Sequence, residues 1–268
     1  MPSNPISECY RILALCWEGY TWNWLYTSRV SGIQLPNASE YPSHSSIHVT
    51  PTSIAIYQIT QSLPYHTNQF NIYMDNYFTN IPLFQVLREL GIGACGTARE
   101  NKNAFPPEFH NSFPGLPWNH LCDAEVGCIS DPVLALQWED RVSVHLLSTI
   151  RQITDFVNHK LNKPRATSTN ATTTCHAFAP GRQKEILPIP LIIDDYTHSM
   201  NGVDPADHLC ASYPTQLKAL RNWLPLLFWI LDTSIVNSFL LYQFTHPNAK
   251  HCQFNLDVVT GLFNNSQP

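Results

Sequence analysis

Three aspartates stand where phosphodiester chemistry could use them. Asp75 closes the apolar run of FNIYMDNYFTNIPLF, and Asp204 and Asp207 lie three residues apart in MNGVDPADHL. Two Mg²⁺ ions held about 4 Å apart stabilise the attacking and leaving oxygens of a phosphoryl displacement. Magnesium takes hard carboxylate oxygens and keeps several waters, so a few acids from separate elements suffice. Each acid also has a structural reading. Asp75-Asn76 is an ordinary strand-ending turn pair. Asp204, just before Pro205, suits a helix N-cap, and Asp207, on the same face, favours the helix dipole. Spacing alone leaves both readings open.

The elements that must position these acids follow from pattern. Tyr10–Cys16 and Thr21–Tyr26 read as two strands turning at Gly19. Pro36–Ser46 reads as loop, and Thr52–Ser62 as a helix. A strand ends at Asp75, and Thr79 or Asn80 caps a helix over Ile81–Leu90 that stops at Gly91. Gly91–Thr97 is a short buried strand. Strand, strand, helix, strand, helix, strand is an α/β order. It breaks down after Arg99, where Pro106, Pro107, Pro114 and Pro117 mark irregular chain. Strand-like pieces at Val133–Trp138 and Val142–Thr149 follow, then a polar linker at Ala166–Thr174. Helical patterning covers Asn201 to Phe244, interrupted near Pro214 and Pro225. This layout divides the chain into a first core part (1–98), an insertion (99–190), C-terminal core helices (191–244) and a tail (245–268).

A chain of 268 residues with 44% hydrophobic and 13% charged residues is globular, not disordered. Its net charge of −5 excludes a strongly basic nucleic-acid binder, but the average hides an asymmetry. Arg151, Lys160, Lys163, Arg165, Arg182 and Lys184 face one acid, Asp155, within 151–184, which leaves that stretch at +5 and the remainder at −10. From the residues alone a solvated loop is the favoured reading of this stretch. The eight cysteines form no C-x-x-C pair and no zinc-like spacing, which predicts free thiols in a reducing compartment. Asn37, Asn170 and Asn264 begin glycosylation triplets that carry little weight. No secretory leader is visible. Trp223–Phe244 is long enough to span a bilayer, yet Asp232, Asn237 and Gln243 argue for a buried core helix and no membrane.

YMDNYFTNIPLFQVLRELGIGACGTARENKNAFP, LALQWEDRVSVHLLST and DDYTHSMNGVDPADHLCASYPTQLKALRNWLPLLFWILDTSIVNSFLLYQ together resemble the piggyBac family of DNA transposases and their derived proteins. The likeness runs from about Ile6 to Tyr242, and the RATSTN and YPTQLKALRNWLP wording resembles fungal copies. The resemblance implies a ribonuclease H-like α/β fold, a mixed sheet flanked by helices with a long insertion after the last core strand. It implies Mg²⁺-dependent DNA cleavage and strand transfer at a two-metal site, acting on element ends and AT-rich targets in the nucleus, with a homodimer left open. Asp75 matches the family's strand-end acid, Asp204 the GVD acid and Asp207 its companion, and these three are the expected metal ligands. Trp138 matches an aromatic position of the insertion. Residues Arg151, Lys160, Lys163, Arg165, Arg182 and Lys184 become a DNA-facing segment, which would supply affinity without sequence choice.

This copy departs at one decisive place. The family's first acid follows the strand RILALC, and the residue there is Trp17. An indole cannot ligate Mg²⁺, and its bulk is expected to fill the metal position. Glu18 is the one substitute, although a one-residue shift turns a strand side chain to the opposite face unless a bulge re-aims it. MGGVD appears as MNGVD, with Asn201 in place of glycine. The family's N-terminal DNA-binding region and cysteine-rich zinc module have no counterpart, so a catalytic core alone is expected. The expected function is a transposase core with impaired catalysis. The alternative is a non-catalytic DNA-binding or interaction protein, or a relic, derived from one.

Overall fold

The computed structural model describes residues 11–27, 50–99, 105–106, 109, 118–128, 131–140, 142–165, 167, 175–217, 221 and 223–266. The expected loop at 36–46, the prolines 107, 114 and 117, the polar linker at 166–174 (apart from residue 167), and the triplets at Asn37 and Asn170 lie outside these residues. The chain divides into two compact units, Met1–Ile33 with Asn201–Pro268, and Gln34–Met200.

The larger unit is built on a five-stranded mixed sheet. Strand β3 (Asn71–Met74) pairs in parallel with β4 (Gly93–Thr97), and helix α2 (Ile81–Glu89) makes the crossover; helix α1 (Pro51–Thr60) precedes them. Asn80, not Thr79, caps α2 by accepting from Leu83 N–H at 3.0 Å. The sheet continues antiparallel through β7 (Ser143–Ser148), β6 (Asp131–Glu139) and β5 (Leu121–Cys128), in the order β3-β4-β7-β6-β5. Segment 99–190 is thus woven into the sheet, because β7 hydrogen-bonds directly to β4. Helix α2 buries Leu83, Phe84, Val86 and Leu87. Another cluster joins Cys95, Leu136, Trp138 and Leu146 to Ile192, Ile193 and Tyr196 of helix α3 (Leu191–Ser199). Trp138 is a core residue whose indole N–H donates to Asn119 at 2.8 Å.

Two glycines of GIGACGT are there for room. A Cβ on Gly93 would lie 2.2 Å from Asn71 Oδ1, and one on Gly96 would lie 2.2 Å from Thr79 Oγ1 and 2.7 Å from the Met74 carbonyl. The loop carrying Asp75 therefore rests directly on β4. Outside this sheet, β8 (Phe156–Asn162) and β9 (Lys184–Pro190) make an antiparallel hairpin where the sequence reading placed no strand. Alternation along β8 sends Val157 and Leu161 towards the core cluster, with His159 between them.

The smaller unit starts with the hairpin of β1 (Arg11–Trp17) and β2 (Tyr20–Thr27). Glu18 and Gly19 form its two-residue turn, with φ of +48° and +91°. Both values are positive, as a type I′ turn requires. Helices α4 (Val203–Ser212), α5 (Leu224–Thr245) and α6 (His251–Asn265) complete the unit. The expected tail at 245–268 is largely the helix α6. The expectation that Trp223–Phe244 is a buried core helix needs correction. Asp232, Thr233, Val236 and Phe239 are the buried residues of α5, while Leu227, Leu231 and Leu241 on another side stand in solvent. Helix α5 is long and apolar enough to cross a membrane by length and composition alone, a test that the core helix of a soluble protein also passes. Its one acid, Asp232, is occupied within the unit, where it accepts from Thr215 N–H at 2.8 Å.

Candidate active site

Asp75 belongs to the larger unit, and Asp204, Asp207, Trp17 and Glu18 belong to the smaller. At Asp75 the turn reading is realised. Its Oδ1 accepts from Tyr77 N–H at 2.8 Å, and its carbonyl accepts from the backbone N–H groups of Phe78 and Thr79 and from Thr79 Oγ1. The side chain remains exposed. Asn76 accepts from Arg99 Nε at 3.0 Å, which ties the MDN and GTAR strings together. Tyr196 of α3 donates to the Met74 carbonyl at 3.4 Å and lies 3.3 Å from Thr97 Oγ1. Burial raises its phenol pKa, and the nearby charge of Asp75 adds to the shift. Sequence reasoning missed Tyr196; the signal was an aromatic residue six positions before the GVD string.

The capping reading of Asp204 does not hold. Helix α4 starts at Val203, its N-cap is Gly202, and no side chain caps it. The helix begins early because Gly202 is clamped: Gly19 N–H donates to its carbonyl at 3.1 Å. A Cβ on Gly202 would lie 2.5 Å from the Cys16 carbonyl oxygen. Pro205 closes the other side, 3.3 Å from where a Cβ of Gly19 would be. The G-V-D-P spacing thus wraps one helix start around one hairpin turn. Asp204 is left in the first turn, exposed and free of capping duty. Asp207 has its pKa raised, first by partial desolvation and then by the charge of Asp204. Burial also pushes the Cys16 thiol up, and the charge of Asp207 adds to that shift.

Asn237 was read in the sequence only as a polar interruption of α5. It reaches back to β2, accepting from Thr21 N–H and donating to the Thr21 carbonyl, both at 2.9 Å. Thr21 adjoins a bulge, because Leu15 pairs with Asn23 whereas Cys16 pairs with Thr21. The bulge adds its extra residue to β2, so it does not re-aim Glu18, which sits in the turn itself. Trp17 pairs with Tyr20 at the hairpin mouth and is 63% exposed. The expectation that the indole fills a metal cavity is therefore replaced by an indole in solvent.

This donor set does not fit a three-carboxylate magnesium site. Trp17 offers no ligating lone pair, Cys16 is a soft and protonated thiol, and Glu18 stands in the turn, one residue beyond the strand-end position. Among the described residues no group of three or more His, Cys, Asp or Glu side chains is placed to hold a metal ion.

The basic residues separate into two places. Arg151 pairs with Asp195 of α3 at 2.6 Å. Lys160, Lys163, Arg165, Arg182 and Lys184 lie on and just beyond the far half of the β8–β9 hairpin, where Asn162 pairs with Lys184 and Lys163 N–H donates to Gln183. Arg182 has Glu185 at 3.6 Å, and Lys160, Arg165 and Lys184 are exposed with half-buried Lys163 among them, which makes a basic end. Asp194 anchors the same hairpin to α3 through His159 at 2.7 Å, and His198 joins it at 3.1 Å.

The family model described as Transposase IS4 matches residues 1–239. The chain belongs to the piggyBac-type transposases. Human PiggyBac transposable element-derived protein 2 is 21% identical over 193 residues, which are 70% of this chain and 28% of that protein. A cryo-EM structure of a piggyBac transposase synaptic complex with hairpin DNA aligns with a TM-score of 0.66 at 20% identity, over 95% of this chain and 46% of that one. The chain thus spans under a third of the curated relative and under half of the solved transposase. The likeness to the latter carries the fold: a piggyBac-type core with a mixed sheet flanked by helices.

Proposed function

We propose that this chain is a piggyBac-type transposase core whose DNA-cutting and strand-transferring activity is impaired. The observation that carries the reading is the hairpin mouth: Trp17 stands where the family resemblance puts the first acid, at the strand end beside a turn clamped to the helix bearing Asp204 and Asp207. The clamp supports an inherited role for that strand end, since Gly19, Gly202 and Pro205 fit one another there. Asp204 spends nothing on capping, which supports its descent from a reactive site. The solved relative is a complex with hairpin DNA, and the basic end of the β8–β9 hairpin is the surface we assign to phosphate contacts here. Nuclear residence and AT-rich targets belong to the same proposal, and magnesium dependence belongs to the ancestral activity that Trp17→Asp would restore.

The test is nicking of element-end DNA in Mg²⁺ by the natural sequence, Trp17→Asp and Glu18→Ala. The natural protein should cut at background, and Trp17→Asp should raise the rate at least about a hundredfold, or ~2.7 kcal/mol of barrier. Natural protein that cuts as fast as Trp17→Asp, and loses cutting in Glu18→Ala, would falsify the impairment.

A further inference from the structure

A cavity of about 330 Å³ lies beside the far half of the β8–β9 hairpin, within the larger unit. Trp118 and Phe178 line it with rings, Leu161 and Pro164 with aliphatic carbon, and Asp140 and Lys160 bring its charges. Sites for small ligands span about 300–1,000 Å³ and have this make-up, an apolar wall with a few placed polar groups. Nothing in the DNA-cutting reading uses it.

The sheet edge builds the polar end. Past the paired strands β5 and β6, Asn119 N–H donates to the Glu139 carbonyl at 2.7 Å, and Glu139 N–H donates to the His120 carbonyl at 3.0 Å. This brings Trp118 beside Asp140, where the indole N–H donates to Oδ1 at 3.1 Å. Trp118 packs on the core cluster and Phe178 is buried, so the aromatic wall is held from behind. The indole has a single donor, so ring and carboxylate fix each other. Among the described residues the indole is the sole hydrogen-bond partner of Asp140, which leaves Oδ2 to a ligand. Lys160 stands on the exposed face of β8, and Lys184 lies on that face opposite Asn162, so the positive charge is at the mouth.

Each feature constrains the ligand. A carboxylate only accepts, so the edge that meets Asp140 must donate. The ring-lined wall suits a flat body, and the ammonium at the mouth suits an anion such as phosphate. Among nucleobases, guanine sets two adjacent donors, N1–H and its 2-amino group, on one edge, and a carboxylate accepts them side by side. Adenine and cytosine place an acceptor nitrogen next to their amine, and thymine flanks its N–H with two carbonyls. Each of those edges would turn a lone pair towards Asp140.

We propose that this cavity binds the guanine base of a nucleotide, with its donor edge on Asp140, its ring on the Trp118–Phe178 wall and its phosphate on Lys160. Two sources offer that chemistry: a free guanine nucleotide and an unpaired guanine in a DNA strand. The site uses none of Asp75, Asp204 and Asp207, so it stands or falls separately from the impairment read at Trp17.

Isothermal titration calorimetry of the intact chain tests this. The titrants are the monophosphates of guanosine, adenosine, cytidine and thymidine, and short oligothymidylates carrying one guanine or none. The guanine form should bind roughly tenfold or more tighter than its counterparts. Preference in the strands alone assigns the base to DNA, and preference among the monophosphates alone assigns it to a soluble nucleotide. Asp140→Asn keeps an acceptor for the Trp118 indole but offers a ligand one donor and one acceptor. It should lose the guanine preference and gain xanthosine monophosphate, whose 2-carbonyl replaces the 2-amino group, an exchange that mere loss of structure cannot produce. Lys160→Ala, at an exposed position, should weaken guanosine monophosphate and leave guanosine unchanged. Absence of saturable guanine binding in either form below ~1 mM overturns the proposal. So do equal binding of all bases, a guanine preference that survives Asp140→Asn, and a Lys160→Ala loss that is the same for guanosine.

Discussion

Gly202→Ala is the sharpest test of how the hairpin turn and the start of α4 are joined in the smaller unit. The added Cβ would be 2.5 Å from the Cys16 carbonyl oxygen and 3.2 Å from its carbonyl carbon. Both are backbone atoms of a paired strand, so neither can swing away. Overpacking of this kind costs about 1–3 kcal/mol. The shift that relieves it pulls the Gly202 carbonyl from Gly19 N–H, a bond of 3.1 Å worth about 1 kcal/mol. The total is about 2–4 kcal/mol, a large share of the ~5–15 kcal/mol that holds a domain. Thermal unfolding followed by circular dichroism should show a fall of roughly 5–15 °C. Gly261→Ala is the control: nothing lies within 4 Å of its Cβ, and it sits inside α6. Alanine there should stabilise by up to about 1 kcal/mol. If Gly202→Ala melts with or above Gly261→Ala, the hairpin and α4 are not clamped as described.

Asn237→Leu leaves the buried Thr21 backbone without its two partners and should cost about 2–4 kcal/mol in urea unfolding; Asn237→Asp, which keeps the acceptor, should cost less. Burial pushes the Cys95 thiol up to about 12, so iodoacetamide at pH 8 should modify exposed Cys252 and spare Cys95 until urea is added, as peptide mass spectrometry can read. Asp207 has a raised pKa in the folded protein, so the fold prefers it protonated and loses stability as pH rises from the ordinary carboxylate range through the folded value. Asp207→Asn should therefore melt higher than the natural protein at pH 7, with the difference gone at pH 3; an equal gap at both pH values would contradict the assigned cause.

Much of the core was legible because its signals are local. Asp75, Asn80 and Gly91 punctuate strand, helix and strand by turn, cap and left-handed backbone, and those elements formed within two residues of expectation. The β8–β9 hairpin was not legible. Its alternation is diluted by polar residues in FVNHKLN and by two prolines in KEILPIP, and its pairing spans residues 156 to 190. Asp204 misled for a related reason: a cap residue is recognised by what precedes the helix. Here the start is set by Gly19, far away in sequence.

The amino-acid sequence by itself determined the lineage, the identity of the acids and the indole at position 17, because those are matters of residue type and order. Only the tertiary structure decided their employment. It freed Asp204 from capping, set Trp17 in solvent, tied Asn237 to Thr21, and left α6 with no buried residue. Hydrogen-bond partners and burial depend on residues tens to hundreds of positions apart, and no local pattern encodes which of them meet.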